Sequence, residues 1–516
     1  MRSRFKSFDL NANPDPKHFS YRVLGLLAWI VLTFCFICVV TAPRLLLNVA
    51  RGLAIYMIVR LIILTFLYLV GLMKFLQKER VAGTGPRRSL SGSQIGRNKA
   101  VHHLVVLPNL DEPQEVLKRT LQSLCLQAGA REHMTVVLGM EEWDPGAKDT
   151  AETLLTNYGG KFFHLIATYH PSDLPGEVQG KAMNEAWAVR RACREMVNRL
   201  GISTSQIVVT VADADSIFHP HYFAELTRQF VADSRRYSVV WQAPMLFDND
   251  IWQAHAIIRL ASYYPNVAST GDFINPWEAK LPYSTYSISL KLLEEVDYWD
   301  PTIIDEDVNI FLRSFFKRGG KAFVQRIYLP VHGNPIFGAN LWHALGIFYA
   351  QKLRHGLGGA EIGYLLQKWN FPPGAPFGHK LWLLLKLLHD HLIFSIAGII
   401  ITLGTAVSIA LDQTVVITSP PTNANPLAFI IINLLGSCAL LVIWFVERTR
   451  LSRGKVDWSL RSLMSEILAW LFFPVFFLLL LNLPVLHAQT MMLLGRPPQF
   501  KRTPKRPRST ISDFQT

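Results

Sequence analysis

The chain has 516 residues, 50% of them hydrophobic, with a mean hydropathy of +0.22 and a formal net charge of +14. Such a length holds roughly two to four domains, and the composition leans toward an integral membrane protein that carries a soluble domain. The positive charge is confined to four segments, +2 before residue 21, +5 over 78–99, +3 over 447–461 and +6 over 496–508, so the rest of the chain is near −2; this excludes a basic nucleic-acid surface on the folded domain and fits segments lying against an anionic leaflet.

In chain order, residues 1–20 are a polar tail, and 21–76 hold two transmembrane helices, over 21–42 (ended by Pro43) and 53–73. The first apolar run is too long for a secretory signal and lacks a small-residue cleavage site, so none is expected. Cys35 and Cys38 lie in that run with no second ligand pair, which makes them packing or lipid-facing residues, while Cys125 and Cys193 are expected reduced and buried in a cytosolic domain. Arg60 interrupts the second span; it is either functional or snorkelled and paired. Residues 77–99 form a basic linker.

The block 100–337 alternates strand-like runs (101–107, 135–139, 162–168, 207–212, 239–242) with helix-like ones (113–127, 180–200, 220–234). That alternation predicts an α/β domain with a mostly parallel sheet and ligands at the carboxyl ends of its strands. Residues 338–380, amphipathic and aromatic, are expected as interface helices. Apolar spans follow over 390–411 and 426–446 within a transmembrane region 381–495, and 496–516 is a basic tail. Residues 463–494, broken by Pro474 and Pro484, are expected as a kinked hairpin of two short helices. The loop 412–425 has no Lys or Arg and 447–461 has five, which puts the first outside and the catalytic block in the cytosol.

Polar clusters punctuate the block. Asp111 and Glu112 close the first strand, where acids suit a nucleotide base or ribose, or simply cap the next helix; Glu141 and Glu142 follow the second strand with the same two readings. Gly180-Lys181 opens a helix that reaches Asn184, offering charge and helix amides to a phosphate. Asp213-Ala214-Asp215 follows a buried strand, and two carboxylates so spaced can share a hard cation, Mg2+ or Mn2+, on a diphosphate. Ser216 and His219 lie beside it. Asp305-Glu306-Asp307 starts a helix, either as caps or with one carboxylate set against an acceptor hydroxyl.

Taken together, residues 101–356 resemble the family-two membrane glycosyltransferases, the group of cellulose, chitin and hyaluronan synthases. Pro108 to Pro113 is similar to their Pro-x-x-Asn-Glu-Pro element with Asp111 for Asn. Lys181 to Asn184 is similar to their Gly-Lys-Ala-x-Asn run, Asp213-Ala214-Asp215 to their metal motif, and Gln242-Ala243-Pro244 to their Gln-x-Pro strand. Asp305-Glu306-Asp307 stands where they have Thr-Glu-Asp, which implies Asp307 as general base beside Asp305 and Glu306. Gln351 to His355 resembles Gln-x-x-Arg-Trp, with Gln351 and Arg354 on the donor diphosphate or acceptor and His355 in place of the Trp that stacks on the acceptor sugar; Trp342 and Trp369 are the candidate substitutes.

The resemblance implies inverting transfer of a hexose from a nucleotide-diphosphate sugar, expected to be a UDP-sugar, with Asp215 and Asp213 holding the metal and Asp111, Glu112, Glu141, Lys181, Asn184 and Asp213 on the donor. The leading expectation is a growing polysaccharide acceptor, with export. The alternatives are non-processive transfer to a lipid, and an inactive nucleotide-sugar-binding module of a transporter. Membrane lipids are expected partners, and nucleic acid is not.

Overall fold

In the computed structural model, the described residues are 18–84, 101–411, 426–452 and 457–496, apart from 173, 176, 178, 179, 277, 279, 304 and 373. The polar tail before 18, most of the basic linker, the loop 412–425 and the tail after 496 lie outside them.

Two long helices come first, α1 (Phe19–Thr41) and α2 (Pro43–Thr84). Pro43 does not merely end the first run: it begins α2, where a missing N–H costs nothing. Cys35 and Cys38 are buried among Leu32, Leu46 and Ala50 as packing residues. Of the domain cysteines, Cys193 is buried but Cys125 only half so, and all five are free.

The α/β domain then runs β1 (His102–Pro108), α3 (Gln114–Cys125), α4 (Ala130–His133), β2 (Met134–Glu141), α5 (Ala147–Tyr158), β3 (His164–His170), α6 (Lys181–Cys193), β4 (Ile207–Val211), β5 (Ile217–Phe218), α7 (Tyr222–Ala232), β6 (Val239–Gln242) and β7 (Met245–Phe247). It continues through α8 (Ala256–Ile274), β8 (Tyr286–Ser289), α9 (Leu290–Glu295), α10 (Glu306–Lys317), β9 (Phe323–Arg326) and β10 (Val331–Gly333). Seven strands form one sheet in the order β3-β2-β1-β4-β8-β6-β9, parallel except for β8. β1 and β4 are covered on both faces, which is why they read as mostly apolar, without a regular alternation of polar and apolar residues. A small second sheet, β5-β10-β7, stands beside the end of β4. One apolar core lies on each side of the main sheet, one built on α6 and α10, the other on α3, α5 and α7.

Next come α11 (Leu341–Gly356) and α12 (Ala360–Gln367), the two expected interface helices, then α13 (Phe377–Leu411) and α14 (Pro426–Leu451). α15 (Leu460–Phe477) and α16 (Leu483–Leu493) are joined by a π-helical turn, Leu478–Asn482. The expected hairpin over 463–494 is therefore wrong. The chain stays helical throughout because the wider turn sits between Pro474 and Pro484 and absorbs their missing donors. Five helical stretches, the last being Leu460–Leu493, are long and apolar enough to cross a membrane.

Buried ion pairs fasten the apolar helices to the domain. Arg450 on α14 meets Asp248 at 2.7 Å, and Arg259 on α8 meets Glu466 on α15 at 3.0 Å.

Candidate active site

The carboxyl ends of β1, β2 and β4 open into a cavity of about 740 Å3, and the polar clusters of the sequence converge on it. At one end stand Asn109, Leu110 and Glu112 from the turn after β1. Asp111 lies off this wall with φ 49°, and its N–H donates to Asp144 Oδ2 at 3.0 Å. Nor does Asp111 cap the next helix, because Pro113 holds that position. Glu141 lines the cavity at the end of β2, whereas Glu142 is exposed and outside it. Asn184 donates to Glu141 Oε1 at 2.7 Å and to the Gly139 carbonyl at 3.0 Å. A β-carbon at 139 would collide with that carboxamide, so glycine is required for α6 to sit on β2.

Asp213-Ala214-Asp215 follows β4. Asp215 is 3% exposed, and its Oδ2 accepts the Asn334 N–H at 2.7 Å, while Asp213 is partly open to the cavity. Ser216 is turned away to Thr285 at 3.0 Å, and His219 is likewise off the lining, with burial and His221 pushing its pKa down to about 4. Among the described residues no group of three or more His, Cys, Asp or Glu is arranged to hold a metal unaided. Two hard carboxylates that leave the other coordination positions to phosphate and water fit Mg2+ or Mn2+ arriving with a diphosphate.

Lys181, the first residue of α6, joins this motif to the second acid cluster. Its Nζ is 3.0 Å from Asp213 Oδ1, 3.1 Å from Glu306 Oε1 and 3.4 Å from Glu185 Oε1. Burial disfavours the ammonium, but Asp213, Glu306 and Glu185 together hold its pKa well above the usual lysine value.

Asp305, Glu306 and Asp307 open α10, yet Asp305 makes no side-chain cap, so the capping reading fails for it. Burial, then Asp307 and Glu306, pushes the Asp305 carboxyl well up. Asp307 is pushed up to about 7, first by burial and then by Glu306. Its Oδ2 accepts the Ser284 N–H at 2.9 Å.

Ser284 is the residue that sequence reading missed. It sits at φ 56°, a conformation rare outside glycine, and each of its polar groups holds a different site residue. Its N–H goes to Asp307, its hydroxyl to Asp213 Oδ2 at 2.5 Å, and its carbonyl accepts from Lys181 Nζ at 3.0 Å. Nothing in Tyr283-Ser284-Thr285 signals this. Glu185 and Glu361 were also missed, since each reads as an ordinary helix acid.

α11 brings Gln351, Lys352, Arg354 and His355 to the same cavity. Neither proposed tryptophan joins them. Trp342 is 81% exposed, and Trp369 packs on Phe377 with Lys380 over its ring. Both are displaced by helix geometry: Trp342 faces out from the first turn of α11, and Trp369 follows α12. The far end of the cavity reaches the apolar helices at Arg60, Tyr264, Phe394, Leu481 and Val485. Arg60 itself lies 3.2 Å from His389 Nε2 and 4.0 Å from Asp390, which is the paired reading, on the cavity wall.

Two solved structures are similar in outline. The mannosyltransferase PcManGT from Pyrobaculum calidifontis, in complex with GDP-Man and Mn2+, is 13% identical over 83% of this chain and 98% of its own, with a TM-score of 0.41. TarS 1–349 of S. aureus in complex with UDP is 12% identical over 68% and 91%, with a TM-score of 0.35. No curated protein matches the sequence. The profile described as Glycosyl transferase family group 2 matches residues 208–491, more than half the chain, from the strand before the metal motif to α16. With that match, the chain belongs to glycosyl transferase family group 2.

Proposed function

We propose that the protein transfers a hexose, with inversion, from a nucleotide-diphosphate sugar to an acceptor hydroxyl at a membrane, and that its catalytic domain faces the cytosol. The observation that carries this reading is the bridge from Asp213 through Lys181 to Glu306, which brings the acids we assign to the diphosphate and those we assign to the base into one cavity. Asp307 takes the acceptor proton as the hydroxyl attacks the anomeric carbon, and the nucleoside diphosphate leaves from the opposite face. An α-linked donor then gives a β-linked product. Asp213 and Asp215 would hold Mg2+ or Mn2+, which when bound offsets the charge of the leaving diphosphate. Lys181 adds a cation nearby, and Gln351 and Arg354 cover the diphosphate or orient the acceptor. Glu141, steadied by Asn184, and Glu112 suit the nucleoside, with a UDP-sugar as the first donor to try.

Two acceptors fit the chemistry, a growing polysaccharide that is exported and a lipid that receives a single sugar. His355 in place of an aromatic platform, and a cavity end walled by Phe394, Leu481 and Val485, favour the lipid. Purified protein in lipid is incubated with a panel of nucleotide sugars, reading nucleoside diphosphate release, product size and anomeric configuration. A single lipid adduct of inverted configuration is expected; a ladder of lengths would restore the polysaccharide, and no release from any donor would leave a binding module.

A further inference from the structure

The membrane end of the cavity carries two cations that the transfer reaction leaves unused. Lys280 and Arg326 both line it, and among the described residues neither has a carboxylate within ion-pair distance. Among the described residues their side chains donate only to backbone carbonyls, that of Asp272 for Lys280 and that of Asn275 for Arg326, the latter at 3.1 Å. Nearby acids are engaged elsewhere: Glu278 and Asp390 both hold Lys386, and Asp390 also meets Arg60 at 4.0 Å. Asp272 is held back by burial and by Glu278, which push its carboxyl up to about 6. Burial and the Arg326 guanidinium push Lys280 down to about 7, while the Glu278 and Asp272 carboxylates act the other way from beyond ion-pair distance, which leaves both cations open to a closer anion.

The donor diphosphate is not that anion. Arg326 ends β9, three strands from β4 and its metal motif, and strands spaced about 4.8 Å apart put it roughly 14 Å away across the sheet. Apolar side chains share the cavity wall with these charged groups: Phe273, whose ring lies 6.0 Å from the Arg326 guanidinium, with Leu281 and Val324, and, from the apolar helices, Phe394 and Val485. A guanidinium and an ammonium at the edge of an apolar wall suit a phosphate oxyanion attached to a hydrocarbon tail.

We propose that Lys280 and Arg326 form a binding site for the phosphate of an anionic lipid, whose tail leaves between α8, α13 and α16. The inference deepens the lipid-acceptor reading and rests on it for the direction from which the acceptor enters.

Full-length protein in detergent is titrated with a fluorescent short-chain phosphatidic acid, and diacylglycerol of the same chain length or inorganic phosphate is added as competitor. Charge-assisted hydrogen bonds of this kind make the phosphate worth about tenfold or more in affinity, so diacylglycerol should compete at least that much more weakly. Lys280→Gln with Arg326→Gln should lose the same factor, while UDP binding, measured separately, stays near wild type. The conservative pair Lys280→Arg and Arg326→Lys should retain phosphatidic acid, and it replaces the first pair if that one loses UDP binding as well. Equal competition by diacylglycerol, or unchanged affinity in the charge-removed variant, overturns the site. Competition by inorganic phosphate as strong as by the lipid would mean a free-anion site and overturn the lipid assignment. Loss of UDP binding in the wild type would instead sink the transferase reading, so the two failures are distinct.

Discussion

The Nζ of Lys181 lies 3.1 Å from Oε1 of Glu306, so the first residue of α6 sets a cation directly against the acid cluster of α10. Three buried or half-buried carboxylates depend on it. Lys181→Met leaves Asp213, Glu306 and Glu185 without their shared partner, and removing one partner of a buried pair costs on the order of 3–5 kcal/mol. A clear drop in thermal midpoint is expected together with weakened nucleotide binding. Lys181→Arg should recover part of the midpoint. A Met variant as stable as wild type would mean the carboxylates are neutral in the folded protein.

Metal removal tests the other end of the bridge. Asp215 is anchored by the Asn334 N–H while Asp213 is held by Lys181 and Ser284, so neither depends on a metal to keep its place. Chelation should therefore abolish nucleoside diphosphate release without unfolding the protein, and added Mg2+ or Mn2+ should restore it. Asp215→Asn should weaken diphosphate binding, because an amide is a poor ligand for a hard cation. Full turnover in excess chelator would take the metal out of the reaction.

Asp307 predicts a pH dependence of definite sign. Its carboxyl is raised to about 7, and a general base works only when ionised, so turnover should rise through pH 7 toward the alkaline side. Glu306→Gln removes the neighbouring charge that helps raise it, which should move this limb to lower pH. Asp307→Asn should cost ~10²–10⁴-fold in turnover with nucleotide binding near wild type. Asp305→Asn should be milder than either. Near-normal turnover in Asp307→Asn would place the base elsewhere.

Sequence alone reaches the sheet and the acid motifs because both are local. β1 and β4 are apolar runs ended by polar residues, and Lys181, Asp213 and Glu306 stand at the first positions after a boundary. What it does not reach is set by distance along the chain. Ser284 joins Asp213, Asp307 and Lys181 across up to 103 residues through its backbone as much as its side chain, and backbone donors leave no trace in residue type. Glu185 becomes a site residue only because α6 faces α10. Trp342 and Trp369 misled for the converse reason, since an aromatic close in sequence to Arg354 need not share its helix face.

The last apolar stretch, 460–493, is one continuous helical run, and charge bias makes a prediction about its two ends. A single crossing would carry the basic tail to the outer face, against the positive-inside tendency. Each of its ends is held by a different part of the protein. At the start, Glu466 pairs with Arg259 of α8, the helix that also places Asn266 against β7. At the other end, Gln489 packs on Gly25 near the start of α1, and Met492 approaches Gly359, beside α12 and the catalytic core. Its midpoint packs on Gly398 of α13 through Asn482 and Phe477. The positive-inside bias predicts that both of its ends lie on the cytosolic face. With single cysteines in an otherwise cysteine-free protein, a membrane-impermeant reagent added to intact cells should modify Asn423→Cys and spare Leu90→Cys and Ser509→Cys. Modification at 509 would mean that 460–493 crosses after all, and modification at 90 with 423 protected would invert the whole assignment.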